Sequence, residues 1–220
     1  MIRGIMVKKL SILCLSILFC GSVALAADSA GNRKDQMVRL GIKTGIHLMY
    51  LVTAPFVLEM PGEDWTFGLV YGSGKLTTTQ TSTTYDSSSG YESKTITDTW
   101  NFTTTELTGR YYIGNSFNIP FGVAMYNINK NDWEHTDGTK WDLDYKMTQI
   151  NLGLGNEWTY DWGGYLGVDW FQGGAKLSDK VSVKQTSGSV SSSSTTSAEK
   201  ESTDVNAFAG ALIVTFGFGF

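Results

Sequence analysis

Two histidines are the first residues to weigh for chemistry. Beyond its first 26 positions the chain holds only His47 and His135, and no cysteine, because Cys14 and Cys20 both lie near the N-terminus. A zinc centre of the usual His/Cys type needs three or four such ligands. No His-Glu-x-x-His, Gly-x-Ser-x-Gly or phosphate-binding loop occurs. Gly72-Ser73-Gly74 and Gly153-Leu154-Gly155 sit among alternating apolar residues and read as glycines in strands. His47 would serve as a general base in a lipid-modifying enzyme only with an acid and a nucleophile beside it. No serine stands at a recognisable spacing from it. The plainer reading makes His47 an inward polar residue and His135, between Glu134 and Thr136, a solvated loop residue. Glu106 and Arg110 are four apart, on one face of a strand, and read as a structural charge pair. The expectation is a non-catalytic chain with no metal and no cofactor.

The N-terminus has its own logic. Arg3, Lys8 and Lys9 precede an apolar run from Leu10 to Cys20, and Ala24-Leu25-Ala26 fits a cleavage site between Ala26 and Ala27. This pattern reads as a secretory signal peptide over residues 1–26, leaving a domain at 27–220. Its apolar core is shorter than the ~20 residues of a spanning helix. The mature chain goes to an oxidising compartment and uses no disulfide. It carries 14 Lys and Arg against 21 Asp and Glu, a balance of about −7, which makes nucleic acid an improper partner.

The positioning elements follow from periodicity. Apolar residues recur at every second place, the mark of strands with one apolar face. Trp65, Phe67, Leu69 and Tyr71 alternate with Thr66, Gly68, Val70 and Gly72; Ile150, Leu152, Leu154 and Trp158 alternate with Asn151, Gly153, Gly155 and Glu157. Eight strands are expected near 35–43, 46–59, 65–76, 96–113, 117–129, 141–158, 164–183 and 203–220. The first two come from one long stretch of constant parity, split at Thr44-Gly45, with Pro55 awkward in the second. Parity slips near Thr103–Thr105 and near Thr148 read as bulges, or as points where a strand leaves a membrane. Short connections alternate with long polar ones near 76–95, 130–140 and 184–203, which are rich in Ser and Thr.

The face opposite the apolar one carries Arg39, Lys43, His47, Glu106, Arg110, Glu157 and Asp169 among small residues. A water-soluble barrel would show these glycines and threonines on a surface poor in charge. The inverted arrangement accounts for more. Apolar residues face lipid, and charges near balance fill a narrow lumen and pair. Closure leaves no backbone edge unpaired in lipid. Trp65, Tyr111, Tyr112, Phe117, Trp158, Tyr160 and Trp162 flank the short turns, as an interfacial girdle would.

In that architecture, and in a final strand where Phe216, Phe218 and Phe220 share a parity, the chain resembles small Gram-negative outer-membrane β-barrels of the OmpX, OmpW and OmpA-barrel kind. The resemblance implies an all-β, antiparallel transmembrane barrel of eight strands in the outer membrane, with its long loops extracellular. It implies that Phe216, Phe218 and Phe220 act as an assembly signal read by the barrel-assembly machinery, with periplasmic chaperones upstream. Lipid and lipopolysaccharide would be its surroundings. A structural or surface-binding role is expected first, and a narrow passive channel or carrier for a small or apolar solute second.

Overall fold

A computed structural model describes residues 28–86, 90–134, 140–187 and 207–220. The signal segment 1–26 with its Ala26–Ala27 junction, His135, and much of the loops expected near 130–140 and 184–203 lie outside the described residues. The chain runs α1 (Ser29–Lys34), β1 (Arg39–Ile46), α2 (Leu48–Thr53), β2 (Phe56–Pro61), β3 (Trp65–Asp86), β4 (Gly90–Tyr112), β5 (Phe117–Glu134), β6 (Lys140–Thr159), β7 (Gly164–Ser187) and β8 (Gly210–Gly219). Each strand pairs antiparallel with the next, and β8 pairs with β1, so the sheet is a closed eight-stranded barrel. The seam joins Arg39 to Gly219, Leu40 to Phe218 and Ile42 to Phe216. Phe220 extends it, its N–H donating to the Val38 carbonyl and its carbonyl accepting from Met37 and Val38. Closure pairs every strand on both sides at this level, which removes the open edges of a flat sheet.

The two faces divide as the period-two pattern requires. Leu40, Phe56, Leu58, Phe67, Leu69, Leu107, Met125, Leu152, Phe216 and Phe218 are exposed on the outer wall. Arg39, Lys43, Glu106, Arg110, Glu157 and Asp169 are buried inside. The outer band is aromatic at the short-turn end, where Trp65 lies against Tyr111 at 4.4 Å between ring centroids and edge-on to Phe121 at 6.1 Å. Tyr112, expected in this girdle, points inward instead, because it has the parity of Arg110.

Several elements differ from the sequence expectation. The second strand, placed at 46–59, is replaced by α2 and then β2. Residues 48–53 are apolar at nearly every position, so constant parity did not exclude a helix. Met49, Tyr50 and Thr53 face in, whereas Leu48 and Leu51 are exposed. Ala54 closes α2 in the left-handed region at φ 38°, and Pro55 directly behind it cannot continue a helix. The helix α1 was not anticipated, and β1 and β8 begin later than expected.

The region near 76–95 is ordered ribbon on either side of 87–89: β3 and β4 pair continuously from Trp65↔Tyr111 to Asp86↔Gly90. No register shift occurs at Thr103–Thr105, so the apparent slip is a change in what lines the inside. The slip at Thr148 does correspond to a shift in the β6–β7 register. A further shift at Leu154/Gly155 makes the β6–β7 register step over Trp170, from Asp169 to Phe171. This bulge puts Phe171 on the outer wall beside Trp170, where simple alternation placed it inside.

Candidate functional site

The barrel interior is built in layers. Nearest the short turns, Glu157 on β6 gathers three partners from two other strands. Arg39 Nη1 on β1 donates to its Oε1 at 2.5 Å, and Tyr112 Oη on β4 donates to the same oxygen at 2.6 Å. Arg110 Nε stands 3.5 Å from its Oε2. Arg110 also forks onto Asp169 of β7, with Nη1 to Oδ1 at 2.5 Å and Nη2 to Oδ2 at 3.2 Å, and reaches Asn118 on β5. Arg39 spends its remaining donors on Gln36 and Thr159. Two-point geometry is the strong form of a charge-assisted bond. Buried pairs need their leftover donors satisfied; the ties to Gln36, Thr159 and Asn118 take part of that load, whereas Arg110 Nε and Glu157 Oε2 face each other as an ion pair without a hydrogen bond.

One level up, Glu106 is the hub. It accepts from Tyr50 Oη at 2.6 Å, from Lys43 Nζ at 3.3 Å and from Asn151 Nδ2 at 3.1 Å. Gln149 links Asn151 to the backbone of Phe208, donating to its carbonyl and accepting from its N–H. Glu106 and Arg110, read as a pair from their spacing, therefore do not bond to each other. Four residues of strand separate them by roughly 13 Å of rise, and each finds a nearer partner across the lumen. His47 stacks on Tyr50 at 4.2 Å and lies edge-on to Phe208 at 6.0 Å. Its ring nitrogens touch no acid, so no base–acid pair of the enzymatic kind is assembled around it.

Above this the lining turns apolar. Met49 of α2, Phe102, Ala124, Tyr126, Ile128, Tyr145 and Met147 form one buried cluster, packed with Val52, Trp100, Val181 and Phe208. These residues keep the inward parity of the charged ones below.

The short-turn end is closed by α1. Ser29 Oγ donates to the Glu157 carbonyl and accepts from the Thr159 N–H, and Asn32 reaches the Thr159 carbonyl. Arg33 donates to the carbonyls of Gly62 and Glu63 in the β2–β3 turn and of Asn115 in the β4–β5 turn. Its guanidinium lies 3.4 Å from the centroid of Tyr112, the same ring that bonds Glu157. The helix therefore ties the turns together and docks on the charged layer. The layers hold three buried cations, Arg39, Lys43 and Arg110, against four buried carboxylates, Glu59, Glu106, Glu157 and Asp169. Arg33 brings the fourth cation to that end.

Arg33→Ala removes these carbonyl bonds and the ring contact. It is expected to cost about 2–3 kcal/mol, the scale of hydrogen bonds from a charged group plus a cation–π contact. Trypsin should then cut at Lys34 while the barrel itself stays folded. Urea unfolding and limited proteolysis check both. Unchanged protection of Lys34 would show that the plug does not depend on Arg33.

All seven polar residues singled out from the sequence lie inside the barrel: Arg39, Lys43 and His47 by β1, Glu106 and Arg110 on β4, Glu157 on β6 and Asp169 on β7. Phe216, Phe218 and Phe220 lie on the outer wall of the seam. Reading by parity alone missed Tyr50, which comes in on α2, and Tyr112, grouped with its aromatic neighbours. It also missed Gln149 and Glu59, whose parity matched the inner face and would have found them. No metal-ligating cluster of three or more His, Cys, Asp or Glu occurs among the described residues. No family model, curated protein or solved structure matches this chain.

Proposed function

We propose that the chain is an integral outer-membrane β-barrel of a Gram-negative bacterium, with a structural or surface-binding role carried by the ribbons at its long-loop end. One observation carries the reading: a closed barrel with its charges buried inside and large apolar side chains exposed around the outside. Each such Leu or Phe left in water forgoes about 1.5–3 kcal/mol, so a whole belt of them calls for an apolar solvent. The upper margin of the belt is sharp. On β3 the outer positions run Trp65, Phe67, Leu69, Tyr71 and then Ser73, Lys75, Thr77, Thr79 and Thr81. That change marks where the barrel would leave the hydrocarbon. Phe216, Phe218 and Phe220 would then serve as the assembly signal.

The test is a gel of the outer-membrane fraction, with boiled and unboiled samples compared in detergent. A band in that fraction that shifts on boiling supports the reading. A soluble periplasmic protein with no shift would sink it, and a lipocalin-like carrier would replace it.

A second reading, passage of a small apolar solute, is favoured by the apolar upper lumen. The charged layers below and α1 beneath them argue against a continuous aqueous path, since eight strands leave an interior just wide enough for side chains. Planar bilayers containing the protein are expected to show no discrete conductance steps at neutral pH. Regular ion-conducting steps would show that the layers open.

A further inference from the structure

The wall of the barrel is not level. β8, β1 and β2 have ten, eight and six residues, whereas β3 and β7 on either side have 22 and 24. β3 pairs with β2 only as far as Tyr71, and β7 with β8 only as far as Gln172. Gly72 and Gly74 are still covered, by Pro55, Thr53 and Val52. Beyond them the two tall strands face each other across a slot three strands wide. Among the described residues, β3 has no ladder partner on that side over Lys75–Asp86, and the β7–β8 ladder stops at Gln172, with the Phe208 carbonyl still against Gly174.

The two edges are treated differently. The β7 edge carries Lys176, Asp179, Lys180 and Lys184. Lysines on an edge strand are the usual guard against adding another strand. The β3 edge reads LTTTQTSTTY from Leu76 to Tyr85, ten residues with no charge and no proline. Threonine favours extended backbone. Cross-strand Thr–Thr contacts already hold this strand to β4, with Thr77 and Thr99 hydroxyls 3.5 Å apart and Thr81 and Thr95 hydroxyls 3.3 Å apart. An unguarded edge of this kind is a template for strand addition.

We propose that the β3 edge pairs antiparallel with the β3 edge of a second copy of this chain, held in an opposing membrane. The inference rests on the membrane reading above. Self-pairing centred on Gln80 sets Gln80 against its copy, Thr79 against Thr81, Thr78 against Ser82, Thr77 against Thr83 and Leu76 against Thr84, and brings no like charges together. The geometry then fixes where the second copy sits. Antiparallel strands are related by a twofold axis perpendicular to their sheet. For a ribbon standing up from a membrane that axis lies in the membrane plane, so the second barrel points the opposite way. Among the described residues, the low wall of β8, β1 and β2 leaves each barrel a slot for the other's ribbon. The product is homotypic bridging between two surfaces.

The test uses vesicles of dimyristoyl phosphatidylcholine carrying the full barrel, with insertion checked by the heat-dependent gel shift. Vesicles with the wild-type protein are expected to cluster, read by light scattering. A Thr79→Lys, Thr81→Lys double variant should slow clustering by about tenfold or more, because like charges meet across the pair and many pairs act together. A Thr79→Glu, Thr81→Glu variant should do the same. Mixing the two populations should restore clustering. The same charge pairs at Ser178 and Ser182 on the β7 edge should give no such rescue. Inserted wild-type barrels that do not cluster, or a mixture that does not recover, would overturn the proposal. So would a free peptide of residues 75–86 that binds the barrel without affecting clustering, since the edge would then take a foreign strand. Failure to insert would instead remove the membrane reading itself.

Discussion

Glu157→Ala is expected to be the most damaging single change in the barrel, costing about 3–5 kcal/mol. Its carboxylate takes Arg39, Arg110 and Tyr112 at once. Removing it leaves two guanidinium groups and a phenol in a buried layer with fewer acceptors. Breaking a buried ion pair from one side costs that much because the remaining charge stays desolvated. Glu157→Gln keeps the volume and an acceptor for Tyr112, so it should fall between wild type and Ala. The double variant Glu157→Ala, Arg39→Ala should lose less than the sum of the single changes, since the second removes a charge the first stranded. Urea titration of the barrel refolded in detergent, followed by the unboiled band, measures all of them. A loss below about 1 kcal/mol for Glu157→Ala, the level of an exposed pair, would mean the layer is solvated and does not hold the barrel.

Phe220→Ala is expected to separate folding from delivery. Phe220 is 73% exposed on the outer wall, and the ties to Met37 and Val38 are all main-chain. Alanine keeps those bonds. Refolding in detergent should therefore change little, by roughly the 1–2 kcal/mol of one apolar side chain at most. In cells, under the proposed reading, the effect is far larger: assembled barrel should drop by about tenfold or more, since a tenfold loss needs only ~1.4 kcal/mol of recognition. Pulse–chase sampling of the unboiled band reports it. Equal assembly of the variant and wild type would remove the signal role from Phe220 and leave it an ordinary seam residue. Equal losses in detergent and in cells would make its role purely structural.

The inward and outward faces were legible because a strand has a period of two and one face must be apolar. That rule needs no partner, so Arg39, Lys43, Glu106, Arg110, Glu157 and Asp169 could be assigned to a common face from spacing alone. The antiparallel meander was legible too, from short connections alternating with long ones. The ribbon of β3 and β4 was not. Its threonines do not alternate with apolar residues, and their extended state is decided by hydrogen bonding to the strand opposite. The helices α1 and α2, six residues each, are too short to show a 3.6-residue period. What holds them is docking, on turns for α1 and on the lumen for α2.

Tertiary structure alone decided which charge meets which. Glu157 meets Arg39 across 118 positions of sequence and Lys43 meets Glu106 across 63. Those separations are bridged by closure of the barrel and by the bulges that shift its register. Parity says that a side chain points inward. Only the diameter, tilt and stagger of the closed sheet say what it finds there.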